Sequence, residues 1–237
     1  MTIKKHIPNL ITLLNLFSGC IALVFATQSN FEFAFYFVCL GIFFDFFDGF
    51  FARMFKVSGP LGLQLDSLAD MVTSGVVPGY VMFSMLSNSQ NEMTANPLFA
   101  YLGFIVTLGS CYRLAKFNID TRQTDSFIGL PTPANALFIL SLPLVLQSSS
   151  SLLTLEILTN QWVLLSIVLG SAYILNAEIP LFSLKLKKFN LKDNLVQIIF
   201  LLFSFLLVLF FHFAGIPLLI LFYVLLSVVN NQWVKKK

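Results

Sequence analysis

Eight apolar segments divide this chain of 237 residues, each near the length a helix needs to cross a bilayer. They run roughly from Pro8 to Ala26, Phe33 to Phe55, Leu63 to Leu86, Leu98 to Phe117, Ala134 to Ser149, Trp162 to Asn176, Leu195 to Phe213 and Ile216 to Val234. The fifth and sixth are short for a spanning helix. With 57% hydrophobic residues, 28 Phe and a mean hydropathy of +0.86, the composition excludes an ordinary soluble domain. Charge tests the division independently, because all 14 Lys and Arg fall in alternate gaps. Lys4 and Lys5 precede the first segment, and Arg53 and Lys56 lie at the end of the second. Arg113, Lys116 and Arg122 accompany the end of the fourth, Lys185, Lys187, Lys188 and Lys192 follow the sixth, and Lys235, Lys236 and Lys237 follow the eighth. The positive-inside rule then sets both termini in the cytoplasm and requires an even number of spans. Eight satisfies this, as would six with one interfacial hairpin. The expectation is an all-α polytopic protein of the cell membrane, one integral domain over residues 1–237 with about eight transmembrane helices.

Lys4 and Lys5 before an apolar stretch also resemble a secretory signal, but Asn9, Thr12 and Asn15 interrupt that stretch. Polar residues on one helical face suit a membrane helix that lines a polar site. Cys20, Cys39 and Cys111 sit in apolar segments with no metal-ligand spacing and read as small buried residues. His6 and His212 sit near opposite membrane faces and are not candidate ligands.

Four aspartates lie inside this apolar sequence, in the pattern Asp45-x-x-Asp48-Gly49-x-x-Ala52-Arg53, eight residues, then Gly62-x-x-x-Asp66-x-x-x-Asp70. A carboxylate at membrane depth costs several kcal/mol unless something offsets it, so such residues signal function. Ser58-Gly59-Pro60 breaks the chain between two antiparallel helices. Counted from Gly59, Asp48 is eleven residues back and Asp70 eleven forward, with Asp45 fourteen back and Asp66 seven forward. At about 1.5 Å per residue all four lie within roughly three turns of one another in depth, toward the cytoplasmic end. They cannot all stay ionised without counter-charge, and Arg53 offers only one. An all-oxygen ligand set indicates a hard cation, Mg²⁺ or Mn²⁺, with room for two ions. Magnesium held by carboxylates commonly completes its shell with substrate phosphates, which suggests phosphoryl transfer. Gly49, Ala52 and Gly62 leave a shallow groove open to tight helix packing or to close approach of a ligand.

This pattern resembles the signature of the CDP-alcohol phosphotransferase family at every fixed position, and Pro8-Asn9-x-x-Thr12 resembles the family's first helix. The resemblance implies a six-helix core, often in a homodimer, with two further helices here at about 195–234. It implies transfer of a phospho-alcohol group from a CDP-alcohol to an acceptor hydroxyl, with release of CMP. On the matching positions, Asp45, Asp48, Asp66 and Asp70 would ligate metal and Asp70 would also act as general base. Spacing alone leaves Asp66 and Asp70 as alternatives for that role. Gly49, Ala52, Arg53 and Gly62, with Asn9 and Thr12, would contact the donor.

Arg113-Leu114-Ala115-Lys116-Phe117-Asn118, followed by Gly129-Leu130-Pro131-Thr132-Pro133-Ala134, resembles the family's phosphatidylserine synthase branch. That resemblance implies CDP-diacylglycerol as donor and L-serine as acceptor. Arg113 and Lys116, three apart, share a helix face that could hold a serine carboxylate or a donor phosphate, or could simply set topology. Asn118 could orient the acceptor. Glycerol 3-phosphate or inositol phosphate acceptors call for a larger basic cluster. A cation transporter calls for polar residues continuing to the outer side, where Phe35 to Phe44 and Val76 to Leu86 are almost uncharged. Expected partners are therefore lipid and small molecules, not nucleic acid.

Overall fold

In the computed structural model, residues 2–57, 59–89, 97–120, 127–181 and 195–235 are described. Each of the eight apolar segments is helical there. The first two helices, α1 (Thr2–Thr27) and α2 (Phe31–Phe55), form the most extensive helix pair. On α1 the inward residues are small or polar, with Thr12, Asn15, Ser18, Ala22 and Ala26 all buried. Large apolar side chains face outward, Leu10 and Phe17 being 61% and 62% exposed. This inverts the soluble pattern and suits a helix whose outer face meets lipid while small residues let neighbouring backbones approach.

Asn30 caps α2, its side chain accepting from the Phe33 amide. The helix ends where Lys56 turns left-handed, and Gly59 with Pro60 starts α3 (Pro60–Asp70). A π-helical turn, Met71–Val76, then leads into α4 (Val77–Ser87), so the third apolar segment is one helical path with a wide turn at its middle. A 3₁₀ stretch, Pro97–Phe104, precedes α5 (Ile105–Ile119).

Beyond α5, a two-residue strand β1 (Phe127–Ile128) pairs antiparallel with β2 (Pro180–Leu181), a small departure from the expected all-α fold. Between them lie α6 (Thr132–Ser148), a short α7 (Leu152–Thr159) and α8 (Gln161–Asn176). Pro133 sits in the first turn of α6, and Asn160 caps α8 through its side chain. The pair α7 and α8 is bent by 65°. Helices α9 (Leu195–Phe211) and α10 (Gly215–Lys235) form a hairpin. Their turn lies at His212 (φ 47°), and the rings of Phe203 and Phe222 are 4.5 Å apart where a straight helix would separate them by about 28 Å.

The core runs between α1, α2, α4, α6 and α8 and includes Val38, Val81, Met82, Ile139, Leu140 and Leu164. A second cluster of Leu130, Leu181, Phe200, Ile220 and Tyr223 seats the final hairpin. Among the described residues, four helical stretches are long and apolar enough to cross a membrane, or five if the bent α7–α8 pair is one span. The fold is that of a polytopic membrane protein. Of the charges that mark the alternate gaps, Arg122, Lys185, Lys187, Lys188, Lys192, Lys236 and Lys237 lie outside the described residues.

Candidate active site

With α2 ended by the left-handed Lys56 and α3 begun at Pro60, both helices pack on α1 and face each other across a cavity, and this brings the acidic residues together. One carboxylate oxygen from each of Asp45, Asp48 and Asp66 lies within 4.8 Å of the others. Asp48 and Asp70 are buried, and Asp45 and Asp66 are half-buried. Asp70, the last residue of α3, lies outside the close trio and faces α1, where Asn15 Nδ2 donates to its Oδ1 at 3.1 Å. Thr12 on the same face of α1 donates to Asp48 Oδ2 at 2.5 Å. Asp66 Oδ1 is buried with no hydrogen-bond partner.

Among the described residues none of the four aspartates forms an ion pair. A buried orphan oxygen beside two more carboxylates is the donor set expected of a hard-cation site. At ligand distances of about 2.1 Å, opposite oxygens on an octahedral ion are roughly 4.2 Å apart. Adjacent ones are roughly 3.0 Å apart, so the three carboxylates draw in to close on one ion, and as an all-oxygen set they fit Mg²⁺ or Mn²⁺.

Beside the trio is a cavity of about 200 Å³ lined by Asn9, Thr12, Gly49, Ala52, Arg53 and Gly62, with Asp48 and Asp66 in its wall. All six residues expected on the donor side thus meet in one place. The glycines there face space. A Cβ on Gly62 would come no closer than 3.5 Å to Asn9 Oδ1, and one on Gly49 no closer than 3.6 Å to Arg53 Nη1. A larger cavity of about 460 Å³ between α6, α8 and α10 is walled mostly by apolar residues such as Phe138, Ile167 and Val224, and none of the aspartates lines it.

The three acceptor-side residues separate. Arg113 is buried, with Nη2 at 3.5 Å from the Gly129 carbonyl, Nε unpartnered, and its guanidinium 5.9 Å from the Phe117 ring centre. Lys116 instead forms a 3.1 Å ion pair with Glu178 at the surface. Asn118 donates to Ser67 Oγ at 2.9 Å and ties α5 to the acidic helix. Gly129 is fixed by its left-handed backbone (φ 77°), and a Cβ there would meet Leu175 O at 2.4 Å. That conformation presents its carbonyl to Arg113.

Two site residues have little sequence signal. Asn15 reads as one of several polar residues on α1 but shows no partner, and Thr73 in an apolar helix is unremarkable. Only the three-dimensional fold joins them to Asp70.

The family model for CDP-alcohol phosphatidyltransferase matches residues 5–173, which include the whole acidic cluster and its cavity. The chain belongs to this family. A CDP-diacylglycerol–serine O-phosphatidyltransferase of Helicobacter pylori is 32% identical over 204 residues, covering 82% of this chain and 79% of the relative. Proteins of the same name from Bacillus subtilis (36% over 129 residues; 54% of this chain, 70% of the relative) and Saccharomyces cerevisiae (32% over 153 residues; 58% and 53%) are also similar.

Proposed function

We propose that this chain transfers the phosphatidyl group of CDP-diacylglycerol to the hydroxyl of L-serine and releases CMP. The observation that carries this reading is the cavity beside the acidic trio, open at two glycines and bounded by Arg53, in a chain of this family. Asp45, Asp48 and Asp66, with Asp70 at the margin, would hold one or two divalent ions. Such ions would supply charge stabilisation for the diphosphate and for the departing CMP.

The chain's own residues divide the remaining work. Gly49, Ala52 and Gly62 leave room for the donor's cytidine and diphosphate, with Asn9 and Arg53 at the cavity wall. Thr12 holds the Asp48 carboxylate in place. Asp70 takes the proton of the serine hydroxyl, and the serine oxygen bonds to the lipid-side phosphorus as the phosphorus–oxygen bond to CMP breaks. Arg113, buried and incompletely hydrogen-bonded, is the group to receive the serine carboxylate. Lys116 and Asn118 act at one remove, holding α5 to the segment after α8 and to α3.

The protein crosses the cytoplasmic membrane eight times with both termini inside, and the acidic site faces the cytoplasm, where serine enters and CMP leaves. It works as a homodimer. Buried Val77, Val81, Met82 and Leu86 beyond the site favour a closed catalytic pocket over an ion path. Purified protein given CDP-diacylglycerol, Mn²⁺ and separately L-serine, glycerol 3-phosphate or inositol phosphate should release CMP with serine. CMP with glycerol 3-phosphate and none with serine would assign the acceptor elsewhere, and no CMP with any acceptor would overturn the reading.

A further inference from the structure

Asn15 is a fully buried amide whose two ends have different partners. Its Nδ2 donates to Asp70 Oδ1 at 3.1 Å, and its Oδ1 accepts from the Thr73 hydroxyl at 2.8 Å. An ionised carboxylate only accepts, so the amide can face Asp70 only with its NH₂ end. Thr73 Oγ1 also lies 3.2 Å from the Ala69 carbonyl, the ordinary partner of a helical threonine, but the amide oxygen is nearer. The hydroxyl is fully buried and lies on the π-helical turn that begins directly after Asp70. Such turns change the angular placement of side chains and recur at functional sites.

The backbone is shaped around this pair. A Cβ on Gly19 of α1 would lie 2.5 Å from Thr73 Oγ1, and one on Gly41 of α2 would lie 2.7 Å from Thr73 Cγ2 and 2.8 Å from Asn15 Oδ1. Two helices are therefore bare where Thr73 reaches Asn15. Gly49 and Gly62, by contrast, face a cavity.

We infer that Asn15 is a positioning residue for Asp70, held in its working orientation by the Thr73 hydroxyl within a cradle formed by Gly19 and Gly41. The effect is to fix which oxygen of Asp70 is engaged by α1 and to leave the other directed to the reaction. The inference rests on the proposed role of Asp70 as the base.

The test uses Thr73→Val, which keeps the shape and removes the hydroxyl, Thr73→Ser, which keeps the hydroxyl, and Asp70→Asn. With CDP-diacylglycerol and L-serine, Thr73→Val should lower kcat about tenfold, equivalent to about 1.4 kcal/mol in the barrier. KM for CDP-diacylglycerol should stay within twofold. Thr73→Ser should restore kcat, and Asn15→Leu should lose at least as much as Thr73→Val. If Thr73→Val does not fold, Thr73→Ala carries the same expectation. Wild-type kcat in the hydroxyl-free variant overturns the inference, as does a Thr73→Ser defect equal to that of Thr73→Val or a tenfold rise in KM for CDP-diacylglycerol in place of a fall in kcat. Full activity in Asp70→Asn overturns the assignment of the base, and the inference with it. An inactive Asp70→Asn beside a fully active Thr73→Val overturns the inference alone.

Discussion

Alanine substitution at four glycines of the first three helices should split into two classes with opposite effects on stability. Gly49→Ala and Gly62→Ala place a methyl group at ordinary contact distance, 3.6 Å from Arg53 Nη1 and 3.5 Å from Asn9 Oδ1. Nothing must move, and replacing glycine by alanine inside a helix gains up to about 1 kcal/mol. For a chain of this size that is an unchanged melting temperature or a rise of about 2–4 °C. Gly19→Ala and Gly41→Ala instead drive a methyl to 2.5–2.8 Å from Thr73 and Asn15. Overpacking of that kind costs about 1–3 kcal/mol, so these variants should melt several degrees lower. In the first class the methyl protrudes into the cavity proposed to take the donor, where a misplaced methyl group is worth about 1–3 kcal/mol, or roughly 10–200-fold in kcat/KM for CDP-diacylglycerol. Thermal unfolding in detergent and initial rates of CMP release measure both quantities on one preparation. If Gly49→Ala and Gly62→Ala melt low, or keep wild-type kcat/KM for the donor, the cavity is a packing feature and not a donor site.

Other substitutions test separate parts of the site. Thr12→Val strips a donor from a buried carboxylate, a change of about 1.5–3 kcal/mol for a hydrogen bond to a charged group, and should weaken Mn²⁺ binding about tenfold or more in a resonance titration. Arg113→Ala should raise KM for serine at least tenfold, while Lys116→Ala, which removes only a surface ion pair, should stay within twofold of wild type in steady-state assays. Gly129→Ala strains a left-handed residue against Leu175 O and should lower both the melting temperature and serine turnover.

Much of this site is legible in the sequence because its chemistry is concentrated in two adjacent segments. The Gly59-Pro60 break reverses the chain and helical spacing sets all four aspartates at similar depth, but only Asp45, Asp48 and Asp66 meet, while Asp70 turns to Asn15 of α1. The face of α1 is legible too, since Asn9 and Thr12 recur at helical spacing in apolar sequence. Residues joined across three helices are not. The Asn15–Thr73 contact depends on the π-helical turn at Met71–Val76, which periodicity does not foretell. Likewise Arg113 and Lys116 share a face by spacing, yet burial claims one and Glu178 the other, because the segment after α8 returns beside α5. The short α7 has no distinct signal, since Leu152–Thr159 falls in the gap between the fifth and sixth apolar segments. The seventh and eighth apolar segments correspond to α9 and α10, which fold back on each other at His212.

In the proposed reaction the serine oxygen attacks the lipid-side phosphorus of a donor held beside the aspartates. L-serine labelled with ¹⁸O in its hydroxyl, incubated with CDP-diacylglycerol, Mn²⁺ and the purified protein, tests it by mass spectrometry of both products. The label should appear in phosphatidylserine and be absent from CMP. Label in a cytidine-containing product together with phosphatidic acid, or unlabelled phosphatidylserine, would contradict the mechanism.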